Sequence, residues 1–228
     1  MGVKLSIIIA AGGSSRRYGS TDKLMEELDG LPVLFHAIRN MAPLALPGEL
    51  VVVAAQEALE NYRLLAGKLL PHLDIRFVSG GSSRQESVAN GLQSLRARNG
   101  LVAVHDGARP LATAALLEKV AQRAQITGGA IAAVPVVDSI KRAGAGNIIA
   151  APVDRSCLWR AETPQVFDIV KFRYAYSVLG DAEVTDDAEI MRLAGFPVEL
   201  VDSAMHNMKL TAASDLPQLR LLYAGVKG

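Results

Sequence analysis

Near the start of the chain runs the stretch Leu5-Ser6-Ile7-Ile8-Ile9-Ala10-Ala11-Gly12-Gly13-Ser14-Ser15-Arg16-Arg17, with Lys23 shortly after it. Its apolar first half predicts a buried β-strand. Small residues follow, whose backbone N–H groups can approach an anion closely, and then three cations that can neutralise it. The stretch therefore predicts a phosphate-binding loop directly after the first strand.

The same loop also has a purely structural interpretation, in which the small residues form a tight strand-to-helix turn and the arginines form a solvated face. Two common nucleotide-binding motifs are absent: the Gly-Lys-Ser/Thr ending of a P-loop and the Gly-x-Gly-x-x-Gly turn of dinucleotide-binding folds. An NAD-dependent dehydrogenase is therefore disfavoured, whereas phosphate binding stays possible.

Length and composition limit the class of protein. The 228 residues, half of them hydrophobic, indicate one domain over residues 1–228 with a sizeable core. A net charge of +1 argues against a nucleic acid or a membrane surface as partner. Residues 5–11 are too short to span a bilayer. The single cysteine, Cys157, can form no internal disulfide, which favours a cytoplasmic location.

Short apolar runs alternate with longer helical patterns along the chain. This alternation predicts an α/β three-layer sandwich with a mainly parallel, Rossmann-like sheet. We expect strands at Leu5–Ala10, Leu50–Ala55, Ile75–Ser79, Leu101–His105, Gly129–Pro135 and Pro197–Val201, and helices at Val33–Met41, Gln56–Leu70, Ser82–Arg96, Thr113–Gln125, Asp168–Leu179, Asp186–Leu193 and Ala213–Ala224.

Polar residues follow four of these strands. In addition to the first loop, the segments 80–84, 106–110 and 135–139 carry glycine, charged or hydroxyl residues. Ligands of open parallel sheets bind beyond the carboxyl ends of the strands, where such loops meet. The four loops together predict one binding cleft.

Residues 138–160 interrupt the alternation. The segment 143–147 is typical of a turn and connects Ser139–Arg142 with Ile148–Pro152 as a β-hairpin. An isolated hairpin is barely stable in water. We therefore expect a protruding β-arm that packs on a second subunit and makes the protein a homodimer.

The motifs of the chain together resemble a known enzyme family. They are Ala10-Ala11-Gly12 with Arg16 and Lys23, Gly80-Gly81-x-x-Arg84-Gln85-x-Ser87, Val104-His105-Asp106-x-Ala108-Arg109-Pro110, Trp159-x-x-x-Thr163-Pro164-Gln165, Thr185-Asp186-Asp187-Ala188 and Asn207-x-Lys209-x-Thr211. In order and spacing the set is similar to the 2-C-methyl-D-erythritol 4-phosphate cytidylyltransferases of non-mevalonate isoprenoid biosynthesis, whose fold is of the nucleotide-diphospho-sugar transferase type.

The resemblance implies transfer of a cytidylyl group from CTP to a phosphorylated polyol, with Mg²⁺ and release of pyrophosphate. Asp106 is the possible Mg²⁺ contact, because a carboxylate beside phosphates needs a cation between them. The roles it implies are catalysis for Arg16, Lys23, Asp106 and Lys209, CTP binding for Ala10, Ala11, Gly12, Gly13, Ser14, Gly81, Ser82, Ser87 and Gly107, and polyol phosphate binding for Asp106, Arg109, Ser139, Arg155, Thr185 and Lys209.

Several of these residues also have structural alternatives. Asp106 can cap the next turn or pair with Arg109, Ser82 can be a helix N-cap, and Thr185 can belong to an ordinary acidic helix start. Contact of Asp106 with the metal and contact with polyol hydroxyls stay equally open.

A ribitol 5-phosphate cytidylyltransferase is the closest alternative function. A nucleotide-binding regulator without catalysis is the alternative from another class.

The sequence departs from the family pattern in the first loop and directly after Asp106. Asp22 stands where proline is usual, Ser14 where glycine is expected, and Gly107 where alanine is usual. We hypothesise that Asp22 lowers the effective charge of Lys23 towards phosphates.

Overall fold

The computed structural model describes residues 2–12, 18, 22–180, 183–204 and 207–227, without the side chains of 226 and 227. The strands are β1 (Leu5–Ala11), β2 (Glu27–Leu28), β3 (Leu31–Pro32), β4 (Ala45–Ala54), β5 (Ile75–Ser79), β6 (Leu101–Asp106), β7 (Gly129–Pro135), β8 (Ile140–Ala143), β9 (Ile149–Val153), β10 (Trp159–Asp168) and β11 (Glu199–Asp202). The α-helices are α1 (Val33–Met41), α2 (Leu59–Leu69), α3 (Arg84–Ser94), α4 (Ala114–Thr127), α5 (Ile169–Val178), α6 (Asp187–Leu193) and α7 (Leu216–Lys227).

A seven-stranded sheet in the order β11-β7-β10-β6-β1-β4-β5 forms the centre of the fold. Its strand pairs are parallel except those made by β10. Ile7 and Ile9 of β1 pack into one buried cluster and Ile8 into the other. Apolar residues on both faces of the strand explain its continuous apolar run. The predicted α/β fold with a mainly parallel sheet is confirmed.

The sequence analysis predicts no strand over the residues of β10, Trp159–Asp168, and this prediction was wrong. Its ten residues include polar side chains and Pro164, which are typical of loops or edge strands. In the fold β10 is central, and its register against β7 shifts between Ala161 and Gln165. This irregularity interrupts regular pairing around Pro164, so the sheet accommodates the proline.

Strands β1, β4, β5 and β6 run in parallel, and β6 and β7 are both antiparallel to β10. The carboxyl ends of all five strands therefore lie at one edge of the sheet. The prediction that the strand-end loops share one edge of the sheet is confirmed for the described residues. Residues 13–17 and 19–21 of the first loop lie outside them.

The predicted arm is a separate two-stranded antiparallel sheet of β8 and β9, in which Ile140 pairs with Val153. It leaves the main sheet at Val136, whose N–H donates to the Leu158 carbonyl at 2.9 Å. Residues 141–150 are all exposed. In the part of the chain that the structure describes, no helix is long and apolar enough to cross a membrane.

Candidate active site

Asp106, at the end of β6, lies at the centre of a group of cations. Its Oδ2 is 2.7 Å from Lys209 Nζ and 3.5 Å from Arg109 Nε, and its Oδ1 is 3.8 Å from Arg84 Nε. Burial opposes ionisation of Asp106, but the charges of Lys209, Arg84 and Arg109 outweigh it and hold the pKa of the carboxyl well below its ordinary range. Asp106 is therefore a carboxylate at neutral pH, and the pairing with Arg109 that was raised as a structural alternative is present.

Two cavities share Lys209, the lysine that is paired with this carboxylate. The loop-side cavity, of about 100 Å³, is lined by Ala10, Ala11, Gly12, Lys23, Leu24, Arg84, Ser87, Asp106, Ala108 and Lys209. The large cavity, of about 710 Å³, is lined by Arg109, Val134, Arg160, Ala161, Glu162, Ala204, Asn207, Met208, Lys209, Thr211, Asp215, Gln218 and Leu222. Because Lys209 lines both, the Asp106–Lys209 ion pair lies at their junction.

The turn between β5 and α3 is held by Ser87. Its Oγ accepts from the Gly81 N–H at 3.1 Å and donates to the Ser83 carbonyl at 2.8 Å. A Cβ on Gly80 would lie 2.8 Å from that oxygen, so the turn needs glycine for this close approach. Of the residues expected to bind the nucleotide in this turn, Ser87 lines the loop-side cavity and Gly81 supports it.

Ser82 does not cap α3, contrary to the structural alternative raised from the sequence. The N-cap is Ser83, whose Oγ accepts from the Glu86 N–H at 3.0 Å. The Ser82 N–H and hydroxyl both donate to Glu86 Oε2 at 2.7 Å. Glu86, the third residue after the cap, therefore binds the residue that precedes the cap.

Gly107 joins the β6 loop to the end of β1. Its N–H donates to the Ala10 carbonyl at 3.0 Å. A Cβ at this position would lie 2.9 Å from Leu34 Cδ1. Helix α1 packs so closely against this loop that little room remains for a Cβ, which explains why glycine replaces the usual alanine here.

Other residues predicted from the resemblance lie away from the cavities. Thr185 is engaged by Glu189 Oε2, to which its N–H and hydroxyl donate at 3.2 and 3.3 Å, and Asp186 caps α6. The helix-start interpretation of this motif is confirmed. Ser139 and Arg155 are exposed on the arm, where Arg155 donates to the Val137 carbonyl. Gly13, Ser14 and Arg16 lie outside the described residues.

Two residues at the site were not assigned to it from the sequence. Arg84 lies between Asp106 and Asp187, a fully buried carboxylate whose Oδ2 is 2.7 Å from Arg84 Nη2. Its place beside Gly80-Gly81 was the available signal. Glu162 lies 3.8 Å from Arg109 through Oε1 and lines the large cavity. No sequence signal marked it, because its position depends on the irregular pairing of β10.

A buried imidazole supports the loop that follows β6. Thr163 Oγ1 accepts from the Asp106 N–H at 3.0 Å and so directs its own hydrogen to His105 Nδ1, also 3.0 Å away. The Nε2–H of His105 then donates to the Arg109 carbonyl at 3.1 Å. Burial lowers the pKa of His105 to about 4, so the ring is neutral at physiological pH.

Asp22 has two partners that concern the position of Lys23. Its Oδ1 accepts from the Leu24 N–H at 3.0 Å and caps the 3₁₀ turn Lys23–Met25. Its Oδ2 accepts from the hydroxyl of Tyr62, a residue of α2 that is 2% exposed. The effect of Asp22 on the charge of Lys23 stays a prediction, while these contacts indicate that Asp22 anchors the lysine's turn to the core.

Replacing Tyr62 with phenylalanine is expected to lower the free energy of unfolding by about 1–2 kcal/mol, because Asp22 Oδ2 loses its donor. Urea denaturation of the wild type and the variant measures this difference. Tyr174→Phe is the control, since Tyr174 is 54% exposed, and its free energy of unfolding should change by less than about 0.5 kcal/mol. Equal losses in both variants would contradict an anchoring role for the Tyr62 hydroxyl.

Comparison with known sequences gives one consistent result. The family model described as IspD, 2-C-methyl-D-erythritol 4-phosphate cytidylyltransferase, matches residues 5–222. A protein of that name from Symbiobacterium thermophilum is 39% identical over 223 residues, covering 96% of this chain and 93% of the relative. One from Pelotomaculum thermopropionicum is 39% identical over 221 residues, covering 93% and 91%.

Solved structures agree with this result. A crystal structure of 4-diphosphocytidyl-2C-methyl-D-erythritol synthase superposes with a TM-score of 0.79 at 30% identity, covering 98% of this chain and 100% of that one. The 2-C-methyl-D-erythritol 4-phosphate cytidylyltransferase of Thermus thermophilus gives 0.79 at 27% identity, covering 96% and 98%. With its motifs, fold and strand-edge site in agreement, the chain belongs to the 2-C-methyl-D-erythritol 4-phosphate cytidylyltransferase family of nucleotidyltransferases.

Proposed function

We propose that this protein is a cytoplasmic enzyme that transfers the cytidylyl group of CTP to 2-C-methyl-D-erythritol 4-phosphate, giving 4-diphosphocytidyl-2-C-methyl-D-erythritol and pyrophosphate. The observation that carries the proposal is the pair of cavities that share Lys209, whose ammonium is paired with Asp106. A reaction that joins a nucleotide to a second phosphorylated molecule needs two binding sites with charged groups at their junction.

The reaction needs no nucleophile from the enzyme. A phosphate oxygen of the polyol attacks the α-phosphorus of CTP, and the bond from that phosphorus to the bridging oxygen breaks as pyrophosphate leaves. Catalysis then consists of positioning and of stabilising the charge that develops on the phosphoryl oxygens. Lys23 and Lys209, which line the loop-side cavity, are suited to this role, and we assign Arg16 of the first loop to it as well.

We assign the nucleotide to the loop-side cavity and the polyol phosphate to the large cavity. Small residues and Ser87 border the first, which favours close approach of the triphosphate to backbone N–H groups. Arg109, Arg160 and Lys209 border the second, which favours a phosphate monoester with nearly two negative charges. Gly12, Gly13, Ser14, Gly81, Ser82 and Gly107 remain proposed nucleotide contacts.

Mg²⁺ fits the donor set at the junction. Magnesium in nucleotide enzymes is commonly held by one or two carboxylates together with substrate phosphates. Asp106 supplies one carboxylate, and no group of three or more acidic, histidine or cysteine residues that could hold a metal exists among the residues that the structure describes. Asp106 would therefore hold the ion together with the triphosphate. When bound, the ion neutralises phosphate charge and orients the α-phosphoryl group.

We further propose that the arm, residues 138–160, joins two copies of the chain and supplies Ser139 and Arg155 to the partner's polyol site. The arm and its base expose Val137, Ile148 and Ile149 at 75%, 72% and 65%. Apolar side chains on a two-stranded sheet favour burial against another surface.

The variant Ile148→Asp/Ile149→Asp is expected to be a monomer and to lose most turnover of the polyol phosphate, because its arm can no longer pack on a partner. Sedimentation analysis measures the oligomeric state, and a pyrophosphate assay measures turnover. Ile126→Asp, on α4 and 73% exposed, is the control that should stay dimeric. A variant that remains a dimer would contradict the role of the arm.

A coupled pyrophosphate assay with CTP, UTP, ATP and GTP, each with methylerythritol phosphate or ribitol 5-phosphate, tests the proposed function. We expect pyrophosphate only with a polyol phosphate present, with CTP preferred. Faster turnover of ribitol 5-phosphate would favour the closest alternative. No pyrophosphate under any condition would favour a non-catalytic nucleotide-binding regulator.

A further inference from the structure

The large cavity carries charges of both signs. Its cationic residues Arg109, Arg160 and Lys209 suit a phosphate, whereas Glu162 and Asp215 are acidic. A polyol phosphate has both kinds of group, because its hydroxyls donate hydrogen bonds and carboxylates accept them. An acidic residue of this cavity is therefore a candidate contact for a substrate hydroxyl.

Asp215 is already engaged within the protein. Its Oδ2 accepts from the Thr211 hydroxyl at 2.6 Å and from the N–H groups of Thr211 and Ala212 at 2.8 Å. These three donors fix the start of the segment before α7. Asp215 therefore has a structural role.

Glu162 differs from Asp215 in this respect. It is 8% exposed, and its Oε1 is 3.8 Å from Arg109 Nη1. Its buried Oε2 accepts no hydrogen bond from any residue within the described ranges. A buried carboxylate oxygen without a donor is unfavourable, and a donor entering the cavity would relieve this.

Asn207 provides a second acceptor in the same cavity. It is 2% exposed, and its Nδ2 donates to the Thr163 carbonyl at 2.7 Å. This bond fixes the orientation of the amide, so Oδ1 is the acceptor, and it too has no donor among the described residues. Two buried acceptors without donors therefore belong to residues that line the large cavity beside Arg109.

We infer that Glu162 is a substrate-binding residue whose Oε2 accepts a hydrogen bond from a hydroxyl of the polyol phosphate, with Asn207 Oδ1 as a neighbouring acceptor. The inference rests on the proposed function and extends it, because it names a residue that distinguishes the hydroxylated chain of the substrate from its phosphate. The competing role for Glu162 is to position Arg109 without contact to the substrate.

The experiment compares wild type and Glu162→Gln on methylerythritol phosphate and on monodeoxy analogues that each lack one hydroxyl. Hydrogen bonds to charged groups are worth enough to predict a roughly 10- to 100-fold lower kcat/KM of the wild type for one analogue. Glu162→Gln should lower kcat/KM for the full substrate about tenfold. For that one analogue the substitution should cost less than about twofold, because the contact is already lost.

Two further readouts separate substrate contact from a general structural effect. The KM for CTP should stay within about twofold of wild type in Glu162→Gln, since the nucleotide lies in the other cavity. Glu60→Gln, on the exposed face of α2, removes the same charge far from the site and should leave every kcat/KM unchanged.

Three results would overturn the inference. One is an equal loss in Glu162→Gln for the substrate and every analogue, which indicates positioning of Arg109. Another is a variant with wild-type kcat/KM. The third result concerns the wild type alone: removal of any single hydroxyl from the substrate lowers its kcat/KM by less than about tenfold. By contrast, absence of turnover of the full substrate by the wild type would refute the proposed function itself.

Discussion

Asp106→Asn is expected to lower kcat/KM about 10²- to 10³-fold, the range typical of removing one charge-stabilising group from an active site. The amide keeps the size of the carboxylate but loses its charge. Lys209, 2.7 Å from Asp106 Oδ2, then loses the ion pair that fixes its ammonium at the junction of the two cavities. The site also loses its proposed magnesium ligand, so both the position of a cation and the binding of the metal suffer.

Steady-state kinetics with CTP and methylerythritol phosphate, at several Mg²⁺ concentrations, measures the effect of Asp106→Asn. We expect kcat to fall more than the KM for CTP rises, because the lost interactions concern developing charge. Asp74→Asn, at an exposed position remote from the cavities, is the matched control. A kcat/KM within about threefold of wild type would exclude a central role for Asp106.

The lowered pKa of His105 should make the free energy of unfolding depend on pH. Its pKa in the folded protein is about 4, whereas an unfolded histidine titrates near 6.5. Between these values the unfolded chain binds a proton that the folded protein excludes, so the folded state loses stability as the pH falls. The full difference corresponds to about 3 kcal/mol, present above about pH 6.5 and lost by about pH 4.

Urea denaturation between about pH 4 and pH 7.5 measures this loss, and His105→Gln is the variant of interest. Over this window the free energy of unfolding of the variant should fall less steeply with acidification, by up to about 1.4 kcal/mol per pH unit. His36→Gln is a useful comparison, because burial also lowers the pKa of His36, whose Nε2 lies 2.7 Å from the Leu28 carbonyl. Parallel plots of unfolding free energy against pH for wild type and His105→Gln would contradict a contribution of His105 to the acid-dependent loss of stability.

The pH range in which His105 affects stability is separate from the range in which Asp106 does. Although burial opposes it, the three surrounding cations lower the pKa of the carboxyl below 3.8, so its contribution is present above that pH and is lost only at lower pH. Stability loss between about pH 6.5 and 4 therefore includes the buried imidazoles, whereas Asp106 contributes at lower pH, together with Glu86, Asp154 and Asp215, whose pKa values are also lowered.

Local patterns carried much of the prediction. The continuous apolar run of β1 required a strand covered on both faces, and the polar loops after β5, β6 and β7 were correctly expected at one edge of the sheet. Strand β10 was missed because local signals favour a loop around Pro164. Only its pairing with β6 and β7 makes it a central strand, and propensity does not contain that information.

The fold class, the phosphate-binding character expected of the first loop, the hairpin arm and the family all follow from the sequence alone, because each is written in spacing and residue type along the chain. Tertiary packing was needed to place Asp106 among three cations, to anchor the turn of Lys23 to α2 through Asp22, and to bring Glu162 and Asn207 to the large cavity. The reason is physical. The Asp106–Lys209 and Asp22–Tyr62 contacts join residues 103 and 40 positions apart, and the position of Glu162 depends on a shift in strand register, so burial and charge at the site are set by packing rather than by local sequence.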